Sequence, residues 1–119
     1  MKDIRERTFE FAVRIIKPCH ELDKRPGVSR NVSRQLLNAG TSVGANAEEA
    51  QAAQSKPDFI SKNSIALKEA RETHYWLRLL IAAEIMSEEK LAGLRDEAEE
   101  LKRILGSIVV SARRSQQTL

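Results

Sequence analysis

Between positions 63 and 80 the chain reads NSIALKEARETHYWLRLL, the stretch richest in side chains that could do chemistry. Glu69 and Glu72 stand three apart, which on a helix sets them side by side and would suit an acid/base pair. A di-metal bundle needs Glu-x-x-His on each of two helices, with two more glutamates pointing inward. His74 has Arg71 three residues before it and His20 has Lys17, so that ligand set is missing. Cys19 is the only cysteine, which excludes an internal disulfide and a cysteine-based zinc site. No activated nucleophile and no glycine-rich phosphate loop joins the carboxylates. The reading is therefore no catalytic residue, no metal and no cofactor: a protein that is not an enzyme. Catalysis through Glu49, Glu69 and Glu72 ranks third among the function classes.

These residues need elements to hold them, and composition names the kind. Of 119 residues, 41% are hydrophobic and 31% charged, aromatics are scarce, and glycine and proline are few. That is the make-up of long helices in one globular domain, residues 1–119. Apolar runs are short and interrupted by charge, the N-terminus has no apolar leader, and the expected setting is the cytoplasm, with no membrane partner.

Period and punctuation give four helices, at about 4–24, 30–54, 57–86 and 88–113, with a polar tail. In the first, Asp3 and Glu6 have capping-box spacing, and Phe9, Ala12, Val13, Ile16, Cys19 and Leu22 form the expected core stripe. Pro18 falls inside it and predicts a kink or break over residues 14–18. Pro26 and Gly27 make the first turn, with Ser29 as the next cap. Gly40 and Gly44 sit four apart in the second helix, each about 1 kcal/mol less favourable there than alanine. The usual return is close approach of another backbone. Ser55 and Ser87 cap the third and fourth helices. In the fourth, Leu91, Leu94, Ala98, Leu101, Leu105, Ile108 and Ala112 step as a heptad seam. Three short connections make neighbours antiparallel: an all-α, up-down-up-down four-helix bundle.

The third helix is apolar on two sides. Phe59, Ala66, Ala70, Leu77 and Ile81 form one, while Ile65, Trp76, Leu79 and Ala83 form another that also holds Glu69 and Glu72. One side serves the bundle; the other is expected to meet a second copy of the chain, so the protein is read as a homo-oligomer. Ser42, Asn46 and Glu49 recur at helical spacing on the second helix and are expected to serve Glu69 and Glu72 as polar partners.

The segments QLLNAGTSVGANAEEA and DFISKNSIALKEARETHYWLRLL together resemble the bacterial four-helix bundle family encoded by intervening sequences inside 23S rRNA genes. The accessory protein of diversity-generating retroelements is a relative of that family. The matching elements are Ser42, Val43, Asn46 and Glu49, then Phe59, Ala66, Glu69, Glu72, Trp76 and Leu77. Ala47 and Ala50 depart from the isoleucine and glycine frequent in the family. The resemblance implies an up-down bundle assembled into a ring, commonly a pentamer, without catalytic activity.

Net charge is +3 and uneven: residues 1–40 hold nine Lys/Arg against five Asp/Glu. The bundle topology gathers Lys2, Arg5, Arg7, Lys56, Lys62, Arg113 and Arg114 toward one end. Lys24, Arg25, Arg30 and Arg34 gather at the other, beside Glu84, Glu88 and Glu89. The first group makes RNA or DNA, or a protein that handles nucleic acid, the expected partner of the oligomer. The alternative is a protein–protein interaction scaffold that binds no nucleic acid.

Overall fold

A computed structural model describes residues 2–117. Helix α1 spans Ile4–Asp23, α2 Val28–Gln51, α3 Lys56–Ala82 and α4 Glu88–Gln117. Each packs along the next in sequence, and α4 returns to α1 across the thinnest of the four interfaces. The result is an antiparallel four-helix bundle 52 Å long and about 24 by 21 Å across.

The Asp3 carboxylate caps α1, accepting from the Glu6 backbone N–H at 3.0 Å. The helix then passes through Pro18 without a break, which excludes one of the two expected outcomes. Proline inside a helix costs about 3 kcal/mol. Here the turn that follows buries Cys19 and Leu22, and their core contacts hold it in register.

The core stripe of α1 matches the expected one only at Cys19 and Leu22. Thr8, Phe11, Ile15, Pro18, Cys19 and Leu22 are buried, whereas Phe9, Val13 and Ile16 lie 64%, 54% and 51% exposed. Two apolar stripes compete for the same helix, and α2 decides between them. A Cβ on Gly40 would stand 2.8 Å from Ile15 Cγ2, and one on Gly44 would stand 3.2 Å from the Thr8 carbonyl oxygen. The two glycines thus admit the Thr8–Ile15 side of α1 to a distance no larger residue allows. Thr8 satisfies its buried hydroxyl by donating to the Ile4 carbonyl at 2.7 Å. Further along, the Ser33 hydroxyl donates to the Cys19 carbonyl at 2.9 Å and stitches α1 to α2.

Gly27, at φ +89°, turns the chain into α2, which starts at Val28, ahead of the expected Ser29 cap. The Ser55 hydroxyl caps α3 by accepting from the Asp58 N–H at 3.1 Å. Helix α3 stops at Ala82, four residues before the expected end. Glu84 takes a left-handed φ of 58°, and the Ile85 N–H donates back to the Leu80 carbonyl at 3.0 Å. This is the usual glycine-type helix stop built without glycine. It swings Met86 into the core at 5% exposure.

In α4 the buried residues are Leu91, Leu94, Ala98, Leu101, Leu105, Val109 and Ala112, so Val109 takes the place expected of Ile108. Ala112, three heptads on from Leu91, keeps the expected register, so the change is confined to this one turn.

Candidate functional site

Two surfaces hold the residues singled out by sequence. The first lies where α2 and α3 border each other. Ser42 and Asn46 are half-buried and Glu49 is exposed on α2; Glu69, Glu72 and Trp76 are half-buried on α3. Glu69, Glu72 and Trp76 share one stripe with Ile65 and Leu79, which are 39% and 38% exposed. Within one protomer, the expected hydrogen bonds across the two helices do not form. Asn46 instead donates to the Ser42 carbonyl one turn back in its own helix, at 2.9 Å. No described cation comes within ion-pair distance of Glu69 or Glu72. Burial, then repulsion from Glu72, pushes the Glu69 carboxyl above its ordinary value. The Trp76 indole N–H is buried and meets no acceptor, while its ring packs edge-on to Tyr75 at 5.3 Å. The surface is a polar–aromatic strip with its bonds unmade.

The second surface is the end where α1 and α3 start and α2 and α4 finish. Its seven cations fall into two sets. Arg7 grips Glu97 with two hydrogen bonds of 2.7 and 2.8 Å and ties α1 to α4. Lys2 pairs with Glu10 at 2.6 Å and Arg5 with Asp3 at 3.7 Å. Lys56, Lys62, Arg113 and Arg114 carry no ion pair among the described residues. At the opposite end, Arg25 donates to the Ile85 carbonyl at 3.0 Å and Arg30 lies 3.9 Å from Asp23. Glu88 turns instead to Arg95 at 3.0 Å.

His20 is exposed. His74 sits 3.5 Å from Glu99, with its imidazole pKa lowered by burial and then by Lys102. A neutral ring at pH 7 follows, one that donates or accepts a hydrogen bond rather than carrying charge. Among the described residues no three His, Cys, Asp or Glu side chains gather as a metal would need. Buried Cys19 has its thiol pushed up to about 11 by desolvation, far from a reactive thiolate. No described helix is long and apolar enough to cross a membrane.

Sequence reasoning missed two features. One is the exposed apolar face of α1 with Leu37 of α2; the signal, a second apolar stripe in α1, was present and assigned to the core. The other is a groove of about 430 Å³ between α1 and α4, lined by Arg14, Lys17 and Glu21 over a floor that includes Pro18 and Leu91. It depends on pairs remote in sequence and leaves no local mark.

The chain is similar to known proteins over most of its length. The family model for the 23S rRNA-intervening sequence protein matches residues 2–107. A solved structure of a protein of unknown function, from the S23 ribosomal protein family of Bacteroides thetaiotaomicron VPI-5482, is 42% identical. The match covers 90% of this chain and 98% of that one, with a TM-score of 0.83. No curated protein matches. With its four antiparallel helices and a family match over nearly its whole length, the chain belongs to the 23S rRNA-intervening sequence protein family.

Proposed function

We propose that the protein is a non-enzymatic, homo-oligomeric module of the cytoplasm that binds structured nucleic acid, RNA first, through its basic end. One observation carries the reading: Lys56, Lys62, Arg113 and Arg114 share that end and have no carboxylate partner among the described residues. Cations left unpaired are available to phosphate, and each contact made releases counterions. Copies arranged in a ring, five by likeness to the family, would present that end several times over and raise affinity through effective concentration. Arg7, held by Glu97, is left out of this contact set.

The test is a filter-binding titration of a structured RNA hairpin against salt. Affinity should fall as salt rises, by about 0.7–0.9 log units per log unit of salt for each phosphate contacted. Replacing Lys56, Lys62, Arg113 and Arg114 by glutamine should flatten that slope. Affinity indifferent to both salt and substitution overturns the nucleic-acid reading.

The exposure of Phe9, Val13 and Ile16 favours a second reading, a scaffold for another protein. A stoichiometric protein partner that survives nuclease treatment during purification would select it.

A further inference from the structure

Helices α1 and α4 meet across the thinnest interface of the bundle, and the space between them is a groove of about 430 Å³. Ion pairs bridge the two helices at both ends of it. Arg7 joins Glu97 toward one end, and Lys90 joins Glu21 at 3.0 Å toward the other. Along α1 these bridges stand about 21 Å apart. A groove spanned at both ends by side chains suits a small molecule, whereas a partner helix needs a continuous trough.

The floor of the groove is apolar, made by Pro18, Met86, Leu91 and Leu94. Its rim is cationic. Arg14 reaches across to α4, where a Cβ on Gly93 would stand 3.1 Å from its Nη2. Neither Arg14 nor Lys17 has a carboxylate partner among the described residues. Glu21, the one carboxylate among the described lining residues, is already held by Lys90 and, at 3.7 Å, by Arg25. Two uncommitted positive charges thus stand over an apolar floor. An anionic head would find cations there while its apolar body left water.

We propose that the α1–α4 groove binds a small amphiphilic anion, a carboxylate on an apolar body, with Arg14 and Lys17 on the carboxylate and Pro18, Leu91 and Leu94 against the body. The site lies toward the opposite end of the bundle from Lys56 and Arg113 and does not rest on the nucleic-acid reading. A ligand there touches both helices at the weakest joint of the fold, so it stabilises the folded state in step with its occupancy.

Octanoate is the probe, titrated into the isotope-labelled full chain, with butanoate and octanol as comparisons. Saturable amide shifts are expected over residues 14–21 and 86–94. Octanoate should bind more tightly than butanoate, by about threefold for each methylene that enters the groove. It should also bind more tightly than octanol. Arg14→Gln combined with Lys17→Gln should weaken octanoate about tenfold. Both side chains are exposed and unpaired, so the double variant keeps its fold. Octanoate should raise the thermal midpoint of the wild type, and raise that of the double variant less.

Shifts that never saturate, or that centre on Phe9, Val13 and Ile16 instead of the groove, overturn the site. Octanol that binds as tightly as octanoate overturns the proposal, as does a double variant that binds octanoate like the wild type. RNA binding at the basic end stands or falls separately from each of these results.

Discussion

Ile15 occupies the space in which Gly40 would otherwise carry a Cβ, its Cγ2 only 2.8 Å from that position. Alanine at this site recovers about 1 kcal/mol of helix propensity but overpacks a buried side chain, at about 1–3 kcal/mol. Gly40→Ala is therefore expected to destabilise the protein by about 1 kcal/mol net. In an Ile15→Ala background the clash is gone, and the same substitution should stabilise by about 1 kcal/mol. Urea unfolding of the four proteins reads this reversal of sign.

Glu69 tests the polar–aromatic strip that it shares with Glu72 and Trp76 on α3. Its folded-state pKa is raised above 4.5, chiefly by burial, so the fold binds its proton more tightly than the unfolded chain does. That makes the ionised group a destabilising presence at neutral pH. The penalty disappears as pH falls through the raised folded value toward 4.5. Glu69→Gln should raise the urea midpoint at pH 7 and leave it unchanged at pH 4.

His74 has the opposite linkage. Its pKa is lowered from 6.5, so the unfolded chain takes up the proton first. The stability this confers is complete above pH 6.5 and declines as pH falls through the depressed folded value. His74→Gln should flatten the stability profile between pH 7 and 5. The imidazole resonances in a proton NMR titration should report a midpoint below that of an unfolded-chain histidine.

Arg7 separates structure from phosphate contact. Its paired hydrogen bonds to Glu97 are partly buried and planar, a geometry lysine cannot reproduce. Arg7→Lys should cost about 1 kcal/mol in urea unfolding. The salt slope of RNA binding should stay as in the wild type. A loss of slope equal to that from Arg113→Gln would move Arg7 into the contact set.

The parts of the fold that the sequence revealed are those written locally. Asp3, Ser55 and Ser87 each cap a helix because the serine or aspartate oxygen needs only the backbone three residues on. The α4 seam was readable because a sustained run of leucines has one face. Helix α1 was misread because it has two, and the choice lies in the glycines of α2. The end of α3 was hidden because glutamate, not glycine, takes the left-handed position at 84. In the candidate sites, helical spacing put Glu69, Glu72 and Trp76 on one strip. It could not show that Asn46 would bond to its own helix or that Glu97 would claim Arg7.

The thin interface between α1 and α4 has a kinetic meaning. Every other major contact joins helices adjacent in the chain, so the polypeptide can build its structure progressively, with short loops closing first. The last event is then the meeting of the first helix with the fourth, latched by Arg7 on Glu97 and Lys90 on Glu21. The same joint should be the first to open, exposing amide protons of early α1 to exchange while α2 and α3 stay shut.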